Sequence, residues 1–217
     1  MNAINVGIDI DGVLAAYSKR FSQVMRELYG EQMPLISNEG QEVPYWNWRD
    51  WYPATQDQIA LVDKTIAGTF DFWKSLETTN ADQVKYLVEN LDNHPKINVY
   101  FVTNRLVTAG DTVVHQSIKS LESFGWTNPQ VIVTSQKGVI ARALDLKFFI
   151  DDMAENCANI ALYSPSTTVF IIDKAHNRFL HAEQFGIKRI AALNPYADAV
   201  LKYIDSQTKP NKPNHNE

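Results

Sequence analysis

Polar side chains follow four hydrophobic runs of the sequence, at the points where buried strands would end. They are Asp9, Asp11, Thr103, Asn104, Lys137, Asp151 and Asp152. The first run is rich in β-branched residues and is bounded by Gly12, a turn residue. The carboxyl ends of parallel strands meet at one edge of a sheet, and ligands bind at that edge. We therefore expect these side chains to lie close together and to bind something.

Hydrolysis of a phosphate ester is the chemistry that this set suits. Carboxylate oxygens are the ligands that Mg²⁺ prefers, and the ion would offset the repulsion between the carboxylates and a phosphate dianion. Lys137 would add a positive charge for the phosphate oxygens, and Thr103 and Asn104 would add neutral hydrogen-bond donors. One aspartate carboxylate would attack phosphorus to form an aspartyl-phosphate, while a second aspartate would protonate the leaving oxygen.

Strands alternate with helices along most of the chain, which predicts an α/β fold with a parallel, doubly wound, Rossmann-like sheet. After the opening strand, we predict strands at 97–103, 130–134, 147–151 and 168–173, and a weaker one at 189–193. Apolar residues at helical spacing predict helices at 14–29, 54–67, 81–93, 108–124, 137–144, 154–162 and 197–204. Residues 70–73 are predicted to form an aromatic loop.

The first strand is separated from the regular part of the pattern by a long and irregular stretch. We expect residues 1–13 and 80–205 to form the core domain and residues 14–79 to form a small helical cap inserted after the first strand. Because the insertion begins just after the two aspartates, the cap should lie over them. Residues 206–217 are polar and contain two prolines, which predicts a disordered tail.

Composition excludes several classes of partner. The chain has 217 residues and a net charge of −5 without a basic run, which argues against an extended nucleic-acid surface. The single cysteine, Cys157, excludes an internal disulfide and fits a reducing compartment, so we expect a cytoplasmic protein. We see neither a signal peptide nor an apolar run of about 18 residues, and we expect no membrane partner. The sequence leaves open whether the protein forms a homodimer.

The four motifs, taken in order, resemble motifs I to IV of the haloacid dehalogenase (HAD) superfamily. The segments Asp-Ile-Asp-Gly-Val-Leu-Ala-Ala-Tyr from position 9 and Phe-Trp-Lys-Ser-Leu-Glu from position 72 are more closely similar to the 5′(3′)-deoxyribonucleotidases, which carry a helical cap. The strand before Lys-Ala-His-Asn-Arg, positions 174–178, is also similar to theirs. Two departures are Ala16, where that family has an acidic residue, and Asn104-Arg105, where it has Ser-Pro.

The resemblance implies a role for each residue of the set. Asp9 would be the nucleophile and Asp11 the acid and base. The Mg²⁺ ligands would be the Asp9 carboxylate, the Asp11 backbone carbonyl and either Asp151 or Asp152, of which we favour Asp152. The phosphate would be held by the three remaining residues of the set, Thr103, Asn104 and Lys137.

Aromatic residues of the insertion could either bind a nucleotide base or form the insertion's own small core. The candidates for base stacking are Tyr17, Trp46, Trp48, Phe72 and Trp73, and Tyr17 matches the family's base-stacking aromatic. Arg105 could contact phosphate or base. His176 is expected to be structural, and Cys157 is expected to lie in the core.

These features predict a Mg²⁺-dependent phosphomonoesterase that acts on a small phosphorylated substrate, in the first place a nucleoside monophosphate. One alternative keeps the chemistry and changes the substrate to a polynucleotide 3′-phosphate or a sugar phosphate. The acidic chain argues against the polynucleotide. A second alternative is a non-catalytic HAD-like module that binds a nucleotide, and the intact pair Asp9 and Asp11 argues against it.

Overall fold

The structure is a computed structural model, and it describes residues 3–33, 35–36 and 54–208. The predictions for Trp46 and Trp48 lie outside the described residues, as does most of the predicted tail. No helix within these ranges is long and apolar enough to cross a membrane.

Six parallel strands form one sheet in the order β3-β2-β1-β4-β5-β6. The strands are β1 (Ile4–Ile8), β2 (Ile97–Thr103), β3 (Gln130–Val133), β4 (Leu146–Asp151), β5 (Thr168–Ile172) and β6 (Lys188–Ile190). The predicted doubly wound parallel sheet is confirmed, because the order reverses direction at β1. The weak strand predicted at 189–193 is β6, which is shorter than expected.

The register of the central strands brings their polar ends to one level. Ile8 pairs with Phe101 of β2 and with Ile150 of β4. One residue beyond Ile8 is Asp9, and the neighbouring strands end nearby at Thr103 and Asp151. The parallel pairing therefore gathers the predicted side chains at a single edge of the sheet.

Seven α-helices are described. They are α1 (Tyr17–Tyr29), α2 (Gln56–Gly68), α3 (Ala81–Leu91), α4 (Val113–Ser123), α5 (Lys137–Ala143), α6 (Ala154–Tyr163) and α7 (Asn194–Thr208). Helix α4 begins at Val113 rather than at the predicted 108, because the Thr112 side chain accepts a hydrogen bond from His115 N and caps the helix there. Helix α7 continues to Thr208, three residues into the predicted tail.

Three short 3₁₀ helices complete the described elements. They are Phe72–Ser75, Ala175–Asn177 and Ala182–Phe185. The first replaces the aromatic loop that the sequence predicts at 70–73. The 3₁₀ helix buries both of its aromatic side chains, Phe72 and Trp73, whereas an exposed loop would leave them in contact with solvent.

Two hydrophobic layers cover the faces of the sheet. Phe148 and Ile150 belong to one layer and Phe149 belongs to the other, as expected from the alternation of side chains along a strand. Helix α7 contributes Val200 to the first layer, and α6 contributes Cys157 to the second. The sheet is thus buried on both sides, which explains why its strands are nearly continuous apolar runs.

The chain leaves the core after β1 and returns before α3 through two paired connectors. Ala16 N donates to Glu77 O at 2.8 Å, and Thr79 N donates to Leu14 O at 2.8 Å. Ala15 and Thr78 form an antiparallel bridge between these bonds. The two ends of the intervening segment are therefore held side by side. We propose that this segment, residues 14–79, is the cap and that residues 1–13 and 80–205 form the core.

A second set of bonds joins the intervening segment to the loop between β2 and α4. Asp71 N donates to Ala109 O, and Ala109 N donates to Ala67 O, both at 2.8 Å. The indole N–H of Trp73 donates to Leu106 O at 3.0 Å. The 3₁₀ helix that contains Trp73 is consequently fixed against the core as well as against its own segment.

Candidate active site

A pocket of about 220 Å³ lies at the carboxyl edge of the sheet. It is lined by Asp9, Asp11, Thr103, Asn104, Lys137, Asp152, Met153 and Asn156. Six of these eight residues were singled out from the sequence. Met153 and Asn156 were not, because they follow the aspartate pair in the turn and first helical residues, where the sequence shows only a helix start.

Lys137 is the first residue of α5 and is almost completely buried. Its Nζ lies 2.8 Å from Asp9 Oδ1 and 2.7 Å from Asp151 Oδ2. Burial by itself lowers the pKa of Lys137, but the carboxylates of Asp151 and Asp9 outweigh it and hold the pKa above its ordinary value. The lysine therefore stays charged and bridges the ends of β1 and β4.

Asp9 is only 4% exposed, although its carboxylate lines the pocket. Burial raises its pKa well above the ordinary value of 3.8, and three neighbouring carboxylates add to that effect. Lys137 opposes the rise without cancelling it. A second positive charge in the pocket would favour the ionised form of Asp9, and the ionised form of a carboxylate is the nucleophilic one.

Asp151 has hydrogen-bond partners for both carboxylate oxygens. Its Oδ2 accepts a bond from Lys137, and its Oδ1 accepts bonds from Met153 N at 2.8 Å and Asn156 Nδ2 at 3.1 Å. These bonds hold the lysine and the start of α6. Asp151 is therefore committed to contacts within the protein.

Asp152 is just as buried but has few partners. Its Oδ1 has no hydrogen-bond partner within the part of the chain that the structure describes, and its Oδ2 lies 3.2 Å from His176 Nε2. Burial raises the pKa of Asp152, while His176 opposes that rise. A buried carboxylate oxygen without a donor is costly unless it binds a ligand, and this one belongs to a residue that lines the pocket.

The 3₁₀ helix after β5 orients Asp152. Asn177 Nδ2 donates to the Asp152 backbone carbonyl at 2.8 Å and to Ile172 O at 2.8 Å. His176 Nε2 lies 3.0 Å from that same Asp152 carbonyl. His176 was expected to be structural, and its contacts with the site were missed. The available signal was the Lys-Ala-His-Asn-Arg segment, positions 174–178, which directly follows a strand of the sheet.

The donors at this edge of the sheet fit a divalent cation. Carboxylate oxygens of Asp9, Asp151 and Asp152 all lie within 4.8 Å of one another. All three residues are buried, and Asp152 keeps an oxygen without a partner among the described residues. Oxygen donors of this kind are the ligands that hard divalent cations prefer.

The carboxylate of Asp11 is turned towards Arg105. Arg105 Nε lies 2.7 Å from Asp11 Oδ2, and Nη2 lies 2.8 Å from Oδ1. The arginine side chain is 0% exposed and does not line the pocket. This differs from the predicted contact with phosphate or base, because the buried guanidinium is neutralised by Asp11 instead.

The aromatic residues of the insertion are only partly available to a ligand. Phe72 and Trp73 are 0% and 2% exposed, so the structure places both in the interior, which is the alternative that the sequence left open. Tyr17 is half-buried, and its ring stacks on Trp73 with centroids 5.6 Å apart. None of the three lines the pocket, and base stacking by Tyr17 stays a prediction.

The fold of the chain is similar to that of solved HAD-like hydrolases. A HAD-like hydrolase from Burkholderia xenovorans has the same fold, with a TM-score of 0.54 at 11% identity over 94% of this chain and 99% of that one. Another, from Xanthomonas campestris, gives a TM-score of 0.49 at 12% identity over 95% and 97%.

The sequence also identifies a family within this class. Residues 2–194 match the family described as 5′ nucleotidase, deoxy (pyrimidine), cytosolic type C protein (NT5C), and the chain belongs to that family. The protein is thus a HAD-type phosphatase of the nucleotidase kind. No curated protein matches the sequence.

Proposed function

We propose that the protein is a Mg²⁺-dependent phosphomonoesterase that hydrolyses nucleoside monophosphates through an aspartyl-phosphate. One observation carries the proposal: Asp9, at the end of β1, shares a pocket with Lys137, Thr103 and Asn104. A nucleophile, a buried cation and two neutral donors are what a phosphoryl group requires. The family description supports pyrimidine deoxynucleotides as substrates and the cytosol as the location.

The reaction has two steps. In the first, Asp9 Oδ attacks phosphorus, the bond from phosphorus to the ester oxygen breaks, and Asp11 gives its proton to the departing oxygen. In the second, Asp11 takes a proton from water, and the water oxygen attacks the phosphorus of the acyl phosphate. This releases inorganic phosphate and restores Asp9.

Three groups would hold the magnesium ion: the carboxylates of Asp9 and Asp152 and the backbone carbonyl of Asp11. Asp152 is the better candidate than Asp151, because both oxygens of Asp151 already have partners and Asp152 Oδ1 has none among the described residues. The ion would supply positive charge to offset the repulsion between the phosphate dianion and the carboxylates.

Lys137, Thr103 and Asn104 would hold the phosphate oxygens. The pocket is small, about 220 Å³, so it suits the phosphoryl end of the substrate and leaves the rest to be contacted by the inserted segment. Tyr17 is the aromatic residue proposed to meet the base. In this arrangement the core performs the chemistry and the cap selects the substrate.

Phosphate release from p-nitrophenyl phosphate, with Mg²⁺ and with EDTA, tests the chemistry. We expect turnover only with Mg²⁺ and its loss in Asp9→Asn, which removes the nucleophile. Asp145→Asn is the matched control, because Asp145 is an exposed aspartate whose ion pair is with Lys147. Equal turnover in EDTA, or full activity in Asp9→Asn, would contradict the proposal.

A substrate panel tests the specificity separately. It should contain 5′- and 3′-monophosphates of deoxyribonucleosides and ribonucleosides, together with several sugar phosphates. We expect the highest kcat/KM with a pyrimidine deoxynucleotide. If a sugar phosphate exceeded every nucleotide while Mg²⁺-dependent turnover persisted, the phosphatase chemistry would stand and the nucleotide assignment would be wrong.

A further inference from the structure

Arg105 is buried, and each of its three guanidinium nitrogens has a hydrogen-bond partner. Two of its nitrogens contact the two oxygens of Asp11, at 2.7 and 2.8 Å. Its third nitrogen, Nη1, donates to Ser117 Oγ of α4 at 2.8 Å. A planar guanidinium held in this way fixes the plane of the Asp11 carboxylate, which a single ammonium contact could not do.

Trp73 holds the guanidinium from the side of the inserted segment. Arg105 Cζ lies 4.6 Å from the centre of the indole, within the range of a cation–π contact. The Trp73 backbone N donates to Gln116 Oε1 at 3.1 Å, and its indole N–H donates to Leu106 O. The tryptophan is therefore fixed to the core, and its ring is a rigid support for Arg105.

The two carboxylate oxygens of Asp11 differ in their number of hydrogen-bond partners. Oδ2 is shared by Arg105 Nε and by Thr103 Oγ1, which lies 3.3 Å away, whereas Oδ1 has only Arg105 Nη2 among the described partners. A carboxylate oxygen has two lone pairs, so Oδ1 keeps one that no described residue uses. Asp11 also lines the pocket, and its side chain is 13% exposed.

We propose that Arg105 is a positioning residue for Asp11, that it leaves Oδ1 as the oxygen that meets the leaving group, and that Trp73 fixes Arg105 in that role. This inference rests on the proposed phosphatase function. It also gives the inserted segment a part in the proton transfer, in addition to its part in substrate selection. The Asn104-Arg105 pair, which departs from the Ser-Pro of the related enzymes, thereby acquires a function.

The dependence of kcat/KM on the leaving group tests the inference. p-Nitrophenol leaves readily without a proton, whereas the 5′-oxygen of a nucleoside needs one, and kcat/KM reports the step that forms the aspartyl-phosphate. In Arg105→Lys, which keeps the charge and loses the planar two-point contact, we expect a fall of roughly a hundredfold on the nucleotide and less than about threefold on the aryl ester, because general acid catalysis contributes on this scale. Trp73→Leu should lower the ratio of kcat/KM on the nucleotide to kcat/KM on the aryl ester in the same way, by a smaller factor.

Chemical rescue distinguishes positioning from a structural role. In Arg105→Ala, added guanidinium at millimolar concentration should restore part of the activity on the nucleotide. Arg20→Ala, which removes an arginine paired with Glu27 on α1, should change neither the ratio nor the response to guanidinium. Thermal unfolding of each variant reports whether it is folded. If Arg105→Ala is not folded, the loss measured with Arg105→Lys tests the inference.

The possible outcomes separate the two proposals. Equal losses on both substrates in folded Arg105→Lys, without rescue of Arg105→Ala, would overturn the positioning role and leave the phosphatase function intact. Absence of Mg²⁺-dependent turnover in the unmodified protein would overturn the phosphatase function, and the role of Arg105 with it.

Discussion

The carboxylate of Asp152 lies directly against the α-carbon of Gly12, so that a side chain at Gly12 would overlap Asp152 Oδ2. Gly12 also has a φ of +80°, a conformation that residues with a side chain rarely adopt. Glycine is therefore required twice at this position, once by the turn after Asp11 and once by the proposed metal ligand. The two motifs at the ends of β1 and β4 fit together through this contact.

Gly12→Ala should consequently damage the metal site. We expect the unfolding free energy to fall by about 1–3 kcal/mol from backbone strain, and Mg²⁺ to lose most of its stabilising effect, because Asp152 must move. Thermal unfolding with and without Mg²⁺ measures both effects. Gly68→Ala is the control, since an added methyl group there meets nothing within 4 Å. Normal Mg²⁺ stabilisation of Gly12→Ala would argue against Asp152 as a ligand.

Asp152→Asn should alter the dependence of stability on pH. The raised pKa of Asp152 means that the folded protein binds more protons than the unfolded chain at pH values above the ordinary 3.8, so this residue lowers the unfolding free energy as pH rises through that window. Without Mg²⁺, the variant should therefore gain stability relative to the unmodified protein as pH rises from 3.8 through the raised pKa of Asp152. Urea unfolding in EDTA at several pH values tests this, and a constant difference would contradict it.

The same variant should lose its response to the metal. The unmodified protein should gain about 2.7 kcal/mol of unfolding free energy when Mg²⁺ is present at a hundred times its dissociation constant. In Asp152→Asn that gain should be greatly reduced at the same Mg²⁺ concentration. The control is Asp198→Asn, an aspartate on α7 that accepts a hydrogen bond from Tyr86 and lies outside the pocket.

Lys137→Met should destabilise the protein as well as abolish phosphate binding. It leaves the carboxylates of Asp9 and Asp151 buried without their shared cation, which costs about 3–5 kcal/mol of unfolding free energy. Lys147→Met, which removes a partly exposed ion pair with Asp145, should change the unfolding free energy by less than about 1 kcal/mol. Urea unfolding measures the loss of unfolding free energy in the two variants. Equal losses would show that the ion pairs of Lys137 contribute little to stability.

Asn177→Ala should weaken the metal site from a distance. The variant removes the hydrogen bonds that Asn177 donates to the backbone carbonyls of Asp152 and Ile172, so Asp152 is held less firmly. We expect the Mg²⁺ concentration for half-maximal activity to rise about 10- to 100-fold, the usual effect of removing a group that orients a metal ligand. Asn90→Ala is the control, because the hydrogen bond of Asn90 among the described residues is to Tyr86 O within α3. An unchanged Mg²⁺ requirement would assign Asn177 to folding alone.

The strands and the grouping of the polar residues were predictable from the sequence because each depends on local pattern. Mostly apolar runs end at Asp9, Thr103 and Asp151, and parallel pairing then brings any such ends to one edge. Helix boundaries were less accurate where a cap decides them, as Thr112 does for α4. Lys137 was found because it opens a helix directly after a strand.

The partners of the buried charges were not predictable, because they depend on which side chains tertiary packing brings together. Arg105 follows Thr103 and Asn104 at the end of β2. In the sequence, an arginine that contacts a ligand cannot be distinguished from one that pairs with Asp11. The burial of Phe72 and Trp73 likewise depends on how the inserted segment packs on α4. His176 approaches Asp152 only because β5 lies beside β4 in the sheet.

The paired connectors at Leu14–Ala16 and Glu77–Thr79 have a consequence for how such proteins diversify. Since the two ends of the inserted segment are bonded to each other, they stay together whatever length of chain lies between them, and the 3₁₀ helix Phe72–Ser75 adds the bonds of Trp73 to the core. Doubling a loop costs only about 0.6 kcal/mol of closure entropy. A graft of a foreign insertion that keeps this junction and the 3₁₀ helix Phe72–Ser75 should therefore leave the sheet folded, so that new substrate ranges could arise by exchange of the sequence between them.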